Sequence, residues 1–387
     1  MSAPAIVISA YNRPTALRRL LGSLLQANYA QNTVPLIIVV DGGNTPAVQA
    51  TLAEAQSVMW PFGPKEVIQH STRLGLQGNV FFCWSLAERL GSIIHLEDDV
   101  LVSPAFYSFA ASALPYYNAD EHVGLISLCA LWFNGFTHEP FVPLLAPSDV
   151  FFVQVPFFQG LAFTREQWRR FDDWCRVNSH PSPVANLHPA WLDFPATDWM
   201  PLMAKYLAHT ERFTVFPRLM LCTATGEMGT HFTHRTDFFR RPLFSKHHTF
   251  QFESLEKTPA AYDAFFEPLP NWLRRQAPAL AGREFDVDLY ATKRPENLHA
   301  EFTLTTRPTR RAALSFGAIH SPLELNLIET APGCEIVLSR PQDLYWGHVA
   351  DWAARDTVAK ALGSPCQPSR RRTFQRWLGR VARQWFY

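Results

Sequence analysis

The chain has 387 residues, of which 47% are hydrophobic, and this is enough apolar material for a large packed core. Its 35 basic and 34 acidic residues nearly cancel, so composition excludes an overall field suited to nucleic acid or an acidic polymer. Thirty phenylalanines and 12 tryptophans beside 30 prolines indicate long ordered loops, because disordered chains lack such aromatic content.

In the first hundred residues, strand patterns alternate with helix patterns. Continuous apolar runs predict buried strands at residues 5–9, 36–40, 67–69 and 92–96. Leucines at helical spacing follow Pro14, Asn79 is predicted to cap a helix that ends near Leu90, and Ser103-Pro104 is predicted to start the next helix. This alternation predicts an α/β fold with a mostly parallel sheet and helices on both of its faces.

The rest of the chain has a different pattern. Helices are predicted near residues 165–175 and 199–207, and residues 232–282 are predicted to be irregular. Period-two alternation from Phe285 to Leu338, including Leu323, Leu325 and Leu327, predicts a small antiparallel sheet. We therefore predict four parts: a main α/β domain at 1–240, a connection at 241–284, a β-rich module at 285–345, and a helix and basic tail at 346–387.

The cysteines and the most apolar stretch give expectations about cellular compartment. The six cysteines are scattered without CxxC spacing, which favours buried reduced thiols in a cytoplasmic protein. A first strand that begins by Ala5 leaves no room for a signal peptide. Residues 141–163, the most apolar stretch, contain Asp149 and three prolines, so we expect a soluble or peripheral protein.

The acidic triplet Glu97-Asp98-Asp99, directly after an apolar strand, is the sharpest signal in the sequence. Ligands of open α/β sheets bind outside the carboxyl ends of the strands, where this triplet is predicted to lie. Adjacent carboxylates repel one another unless a cation compensates them, and oxygen ligands suit Mg²⁺ or Mn²⁺. The alternative is an acidic turn without a ligand.

Two further strand ends carry candidate ligand-binding groups. Asp41-Gly42-Gly43 ends the second strand, where the carboxylate is suited to a base or ribose, although a plain Asp-Gly turn explains the residues equally well. Arg13 and Arg73 each precede a predicted helix start, a position that suits a phosphate ligand. Neither segment is a Walker loop or a GxGxxG fingerprint, which argues against a nucleoside triphosphatase or a dehydrogenase.

Taken in order, these motifs resemble the GT-A glycosyltransferases. Residues 9–14 (SAYNRP) and 41–43 (DGG) look like family 2. The triplet with residues 101–106 (LVSPAF) is more similar to the family of N-acetylglucosaminyltransferase I, family 13. Residues 158–162 (FQGLA), 198–200 (DWM) and 226–231 (GEMGTH) fall in that family's order, and the resemblance covers residues 5–235.

The resemblance implies roles for individual residues. Asp99 would be the protein ligand of Mn²⁺ or Mg²⁺, and Asp198 would be the catalytic base. Residues 226–231 would form a loop that closes over the donor. The remaining residues would bind the nucleotide-sugar donor, with Asp41 near the base: Ser9, Arg13, Asp41, Arg73, Glu97, Asp98, Gly229 and His231.

Two departures from the pattern of family 13 affect these roles. The family's Asp-Asp-Trp is here Thr197-Asp198-Trp199, so one carboxylate remains, and the spacing of the closing loop differs. His231 therefore either contacts the diphosphate or the metal, or only packs. As a base, Asp198 has Asp193 and Glu227 as competitors, and it also suits a helix N-cap.

The sequence thus predicts metal-dependent, inverting transfer from a nucleoside diphosphate sugar, with UDP favoured, to a saccharide or lipid-linked saccharide. One alternative is a sugar-phosphate nucleotidyltransferase, although the glycine-rich basic loop expected near its N-terminus is missing. The other is a noncatalytic glycan-binding protein on a degenerate scaffold, with the C-terminal β region binding glycan.

Residues 369–387 predict attachment to a membrane surface. On a helical wheel, Phe374, Trp377, Leu378, Val381 and Trp385 fall on one side, and arginines fall on the other. An apolar face with aromatic anchors opposite a basic face is typical of an interfacial helix on an anionic membrane. This places the protein peripherally on the inner face of a membrane; the alternative is that the apolar side docks on the protein's own core.

Overall fold

The computed structural model describes residues 3–30, 33–137, 139–178, 186–227 and 238–346. The strands are β1 Ala5–Ala10, β2 Leu36–Val40, β3 Lys65–Gln69, β4 Ser92–Glu97, β5 Val100–Val102, β6 Val123–Ser127, β7 Val150–Val153, β8 Leu161–Thr164, β9 Phe213–Pro217, β10 Cys222–Ala224, β11 Ala261–Tyr262, β12 Phe285–Asp288, β13 Phe302–Thr305, β14 Leu314–Phe316 and β15 Ile336–Ser339. The α-helices are α1 Pro14–Leu25, α2 Pro46–Ser57, α3 Gly75–Ser85, α4 Ala87–Leu90, α5 Phe106–Tyr117, α6 Arg165–Val177, α7 Met200–His209, α8 Pro270–Gln276 and α9 Leu325–Ile328.

The core of the fold is a nine-stranded sheet with the order β11-β7-β9-β6-β8-β4-β1-β2-β3. Its strands β4, β1, β2 and β3 are all parallel. Strand β8 runs antiparallel to both β4 and β6, and most of the remaining pairs in the sheet are parallel. The predicted α/β fold with a mostly parallel sheet is therefore confirmed.

Helices cover both faces of this sheet, as the continuous apolar strands require. Leu17, Leu20 and Leu24 of α1 are fully buried on one face, together with residues of α2 and α5. Trp84 of α3 and Phe171 of α6 are buried on the other face, where α7 also packs. Because both sides are covered, β1 and β2 are buried along their whole length.

Two predicted helix starts are wrong. The helix that Asn79 was expected to cap begins at Gly75, and Asn79 lies buried inside it, with Nδ2 donating to the carbonyl of Ala10 at 3.4 Å. Helix α5 begins at Phe106 rather than at Pro104. The hydroxyl of Ser103 still accepts from the backbone N–H of Ala105 at 3.0 Å, so this serine caps a turn that precedes the helix.

The C-terminal module contains a four-stranded sheet with the order β12-β13-β15-β14. This sheet is not wholly antiparallel as predicted, because β12 and β13 run parallel. The leucines expected to form a strand lie instead in and beside helix α9. Alternation fails there because Glu324 and Asn326 are buried with hydrogen-bond partners, Tyr262 Oη for Glu324 and the backbone of residues 319–323 for Asn326.

The outcomes elsewhere are mixed. The predicted irregular segment is largely irregular, but it contributes β11 to the large sheet and also contains α8. The division into four parts stays a prediction, and the helix and tail predicted at 346–387 lie outside the described residues except for Trp346. In the described part of the chain, no helix is long and apolar enough to cross a membrane. Cys83, Cys129 and Cys222 are buried and free as expected, whereas Cys334 is exposed.

Candidate active site

The carboxyl ends of β1, β2 and β4 meet at one edge of the large sheet. These strands pair in parallel register, with Ser9 opposite Glu97 and Ala10 opposite Val40. The residues that follow each strand therefore come together, and this is the edge at which open α/β sheets bind ligands. The backbone N–H of Tyr11 donates to Asp98 Oδ2 at 3.3 Å, which joins the segment after β1 to the acidic triplet.

Arg13 is the cation that holds the triplet. Its Nη1 lies 2.5 Å from Asp99 Oδ2, and its Nε lies 3.9 Å from Asp98 Oδ1. Burial lowers the pKa of Arg13, but the charges of Asp99 and Asp98 outweigh this effect and raise it above its ordinary value. Arg13 also precedes α1 as its N-cap residue. The structure therefore brings together Arg13, Asp98 and Asp99, as the sequence predicts.

One guanidinium does not fully compensate these carboxylates. Burial raises the pKa of Asp98 to about 7, against the opposing attraction of Arg13. Burial, together with the charges of Asp99, Asp198 and Asp98, raises the pKa of Glu97 well above its usual range. A pKa above the usual range means that the ionised form lacks sufficient favourable partners. An additional cation at this edge would stabilise the ionised forms.

Asp41 fixes a neighbouring loop. Its Oδ1 accepts from the N–H groups of Gly42 and Leu74 at 2.8 Å each, and its Oδ2 accepts from Gly75 at 3.0 Å. Gly42 is required there, because a Cβ at this position would lie 2.2 Å from the carbonyl carbon of Thr72. The glycine therefore permits close approach of protein backbone, and Asp41 caps the start of α3 from a distance.

Of the other residues predicted to bind the donor, Arg73 lies at this edge of the sheet, whereas the side chain of Ser9 is bonded within the core. The guanidinium of Arg73 stacks over the ring of Tyr11 at 4.6 Å, beside the Asp41 loop. Ser9 instead pairs with His95 in the core, with 3.0 Å between Ser9 Oγ and His95 Nε2, and burial lowers the pKa of His95 to about 3. Tyr11 was not predicted as a site residue, although its position directly after β1 places it at this edge of the sheet.

Asp198 approaches the triplet from the other side. It is 5% exposed and close enough to Glu97 for its charge to raise that residue's pKa. Its Oδ1 accepts from the N–H of Met200, the first residue of α7, at 2.9 Å, although the N-cap position itself is occupied by Trp199. Gln77 Nε2 donates to the Asp198 carbonyl at 3.0 Å and so ties α3 to this segment. Nothing in the sequence pattern indicated Gln77.

The structure describes only some of the residues that compete with Asp198 as the base or that belong to the predicted closing loop. Glu227 forms an ion pair with Arg19 of α1, which occupies its carboxylate. Asp193 ends the short 3-10 helix Pro189–Asp193, and its side chain is outside the description. Gly229 and His231 also lie outside the described residues, so their predicted contacts with the donor stay predictions.

The residues at this edge fit Mn²⁺ or Mg²⁺. No group of three or more His, Cys, Asp or Glu side chains is arranged to hold a metal within the described ranges. Mg²⁺ sites, however, use one or two carboxylates and take their other ligands from phosphates and water. Asp99 offers oxygen ligands, its side chain is 24% exposed, and Arg13 is a cation already drawn to the same carboxylate. The fit therefore rests on the carboxylate oxygens of Asp99 and on the negative charge of the triplet, which Arg13 compensates only in part.

An aromatic surface lies beyond the triplet, on the side of β6. Trp132, Phe133 and Phe238 are half-buried there, and the Arg241 guanidinium stacks 4.7 Å from the Trp132 ring centre. Trp132 follows the carboxyl end of β6, and the N–H of Arg241 donates to Thr223 Oγ1 in β10 at 2.8 Å. Strand β10 pairs with β5, directly after Asp99. This surface therefore belongs to the same edge of the sheet.

Comparison with known protein families agrees with this arrangement. Residues 5–115 match the model of glycosyl transferase family 2. That segment runs from β1 into α5 and includes Arg13, Asp41, Asp98 and Asp99. The match and the order of strands support a GT-A glycosyltransferase. The similarity to the family of N-acetylglucosaminyltransferase I stays a prediction, and the curated proteins contain no match to the chain.

Among solved structures, the chain is similar to Staphylococcus aureus TarS 1–349 in complex with UDP-GlcNAc, at 15% identity, with 60% of each chain covered and a TM-score of 0.38. It is also similar to the mannosyltransferase PcManGT from Pyrobaculum calidifontis in complex with GDP-Man and Mn²⁺, at 15% identity, covering 60% of this chain and 59% of that one, with a TM-score of 0.38. GalNAc-T7 with UDP, GalNAc and Mn²⁺ has 12% identity, covers 56% and 43%, and has a TM-score of 0.39. The matched region thus spans about 60% or less of those chains.

Proposed function

We propose that the protein transfers a sugar from a nucleoside diphosphate donor, with UDP favoured, to a saccharide or lipid-linked saccharide, with inversion at the anomeric carbon. The observation that carries the proposal is the group of buried carboxylates at the sheet edge, which has Arg13 as its compensating cation. This edge lies within the segment that matches glycosyl transferase family 2. Hexosyl or N-acetylhexosaminyl transfer is compatible with these residues.

On the donor side, Asp99 would hold Mn²⁺ or Mg²⁺, and the bound cation would neutralise charge on the departing diphosphate. Arg13 lies beside Asp99 and would bind a phosphate once it is released from that carboxylate. The base and ribose would lie against Tyr11, Arg73 and the loop held by Asp41. The three N–H bonds to Asp41 keep this loop in place before the nucleotide binds.

On the acceptor side, Asp198 would take the proton of the attacking hydroxyl. A carboxylate in this role typically contributes ~10²–10⁴-fold to the rate. Burial and the hydrogen bond from Met200 fix its position, and Gln77 fixes its backbone. The aromatic surface around Trp132 offers the apolar faces on which a saccharide acceptor would pack.

The proposal is tested by measuring release of the nucleoside diphosphate from a panel of UDP- and GDP-sugars, with and without Mn²⁺. We expect release from at least one donor, dependent on the metal and increased by a saccharide acceptor. A noncatalytic glycan-binding protein would release none. A nucleotidyltransferase would instead form pyrophosphate from a nucleoside triphosphate and a sugar phosphate.

Attachment to an anionic membrane through residues 369–387 is a separate proposal, which rests on the sequence pattern alone. Each arginine near an anionic surface contributes about 1 kcal/mol, and six lie between Arg370 and Arg383. Co-sedimentation with anionic vesicles should fall when the chain is truncated after Pro368. Equal sedimentation of both proteins, or of neither, would refute the attachment.

A further inference from the structure

The C-terminal module contains a cavity of about 730 Å³ that the proposed reaction does not use. Its walls come from β14, β15 and the loops after β12 and β13, and Glu139, on the loop that follows β6, contributes one side. A volume of this size lies in the range of small-molecule sites in proteins. The cavity therefore lies between the C-terminal sheet and the loop that follows β6.

Its lining combines apolar side chains with polar groups and one aromatic ring. Ser315 contributes a hydroxyl, Glu139 and Glu335 contribute carboxylates, and Tyr290 contributes a ring. The hydroxyls of Thr306 and Thr309 also line the cavity, but both donate to backbone carbonyls and offer a ligand only their oxygen lone pairs. Carboxylates accept strong, charge-assisted hydrogen bonds from hydroxyl donors. The C–H face of a sugar ring packs on an aromatic ring, as apolar ligands do in such sites. This combination suits a ligand that carries many hydroxyl groups.

The charged groups of the lining disfavour an anionic ligand. Arg307 is the cation of the lining, but its Nε donates to Asp288 Oδ2 at 2.7 Å, and its Nη2 donates to the carbonyls of Ala291 and Lys293. This ion pair is buried, with side chains 8% and 0% exposed. The guanidinium is therefore not available to an anion, and the carboxylate of Glu335 lies in the same wall. Phosphates and nucleotides are disfavoured, and a neutral saccharide is favoured.

The wall formed by residues 289–291 is held rigidly. The carboxylate of Glu267 accepts from the N–H groups of Leu289 and Tyr290 at 2.8 Å each. Ala291, the next residue, has a φ of 55°, a left-handed conformation that is uncommon for a residue with a side chain. Such strain persists only where surrounding contacts fix it, and here the Arg307 bond to the Ala291 carbonyl does so. The position of Tyr290 is therefore set before any ligand binds.

One loop connects the cavity with the sheet edge of the candidate active site. Glu139 lies on a loop in which the N–H of Asn134 donates to the Glu139 carbonyl at 2.9 Å and Phe133 bridges to Pro140. The same loop carries Trp132 of the aromatic surface described above. One short segment thus contributes both to the aromatic surface at the sheet edge and to the wall of the cavity.

We infer that this cavity is a second saccharide-binding site, which takes a neutral part of an extended glycan acceptor away from the reacting sugar. The acceptor assignment rests on the proposed function, whereas saccharide binding rests on the cavity itself.

The test uses the full-length protein and a panel of neutral hexasaccharides: cellohexaose, maltohexaose and chitohexaose. Binding is measured by saturation-transfer NMR and by calorimetry. Ala312 and Ala313 are adjacent and exposed, but only Ala312 lines the cavity. Ala312→Trp should fill the cavity and weaken binding about tenfold or more, whereas Ala313→Trp should bind like the unaltered protein. Tyr290→Ala should weaken binding, and a sulfated hexasaccharide should bind more weakly than its neutral form.

Several results would overturn the inference: no binding of any hexasaccharide, equal binding by both tryptophan variants, or preferred binding of the sulfated form. UDP affinity in Mn²⁺, measured on the same proteins, should be equal in all of them. Hexasaccharide binding without nucleotide release from any donor would refute the proposed function and leave the saccharide site standing. Nucleotide release without hexasaccharide binding would refute the saccharide site and leave the proposed function standing.

Discussion

Two clusters of buried and half-buried carboxylates lie in different parts of this molecule. At the edge of the large sheet, Glu97, Asp98, Asp99 and Asp198 lie near one another, and Arg13 is the cation paired with them. Between β11 and the C-terminal sheet, three carboxylates face two cations: Asp263, Glu267, Asp288, Lys293 and Arg307. Both clusters contain acids whose pKa burial raises, so burial alone does not separate them.

The difference lies in how each charge is satisfied. In the second cluster, Lys293 Nζ lies 2.6 Å from Asp263, Arg307 lies 2.7 Å from Asp288, and Glu267 accepts two backbone N–H bonds. Each carboxylate thus has donors within the protein, and the cluster joins the C-terminal sheet to β11. At the sheet edge, Arg13 contacts only part of the acidic group. We infer that the second cluster, where two cations face three carboxylates, stabilises the fold, and that the sheet edge, where Arg13 faces four, is left for a ligand.

The largest effect is expected at the sheet edge, on activity. Asp198→Asn should lower turnover by about 10²–10⁴-fold, because an amide does not accept the proton of the acceptor hydroxyl. Donor binding should persist, and the amide oxygen can still accept the bond from Met200 that fixes α7. Nucleotide release and donor calorimetry on the same protein measure the two effects. Near-normal turnover would move the base to another residue, with Asp193 the next to test.

Breaking an ion pair in the second cluster should lower the free energy of unfolding of the protein. Arg307→Met leaves Asp288 buried without its ion pair, which typically costs about 3–5 kcal/mol of unfolding free energy. The matched control is Arg89→Met, which breaks an ion pair whose side chains are 49% and 46% exposed and should cost less than about 1 kcal/mol. Urea unfolding, followed by tryptophan fluorescence, compares them. Equal losses in the two variants would contradict the structural role of the second cluster.

A smaller effect concerns pH. The pKa of Asp98 is raised from its ordinary value of 3.8 to about 7, so the folded state holds more protons than the unfolded state between these values. Stability contributed by this group therefore falls as pH rises through that window. Asp98→Asn removes this carboxyl group, so the melting temperature should fall less as pH rises through the window. The same change at the exposed Glu301, Glu301→Gln, should leave the pH dependence as it is. An unchanged pH profile in Asp98→Asn would show that Asp98 is compensated after all.

The sequence predicted the sheet edge better than the C-terminal module, for physical reasons. Strands β1, β2 and β4 are mainly apolar runs that are ended or followed by polar or charged residues, so composition indicates both the strand and its carboxyl end. Residues 323–327 alternate like a strand, but Glu324 and Asn326 bury their polar groups through tertiary contacts that no local pattern reveals. The same holds for Gln77, whose bond to Asp198 joins residues far apart in sequence.

The clearest test of the difference between the clusters is calorimetry of UDP binding, in Mn²⁺ and in a chelator, to the unaltered protein and to Asp99→Ala. We expect UDP affinity that depends on Mn²⁺ in the unaltered protein and is lost in Asp99→Ala, while the two proteins melt at similar temperatures. Unchanged, Mn²⁺-dependent UDP affinity in Asp99→Ala would contradict the assignment of the sheet edge as the donor and metal site.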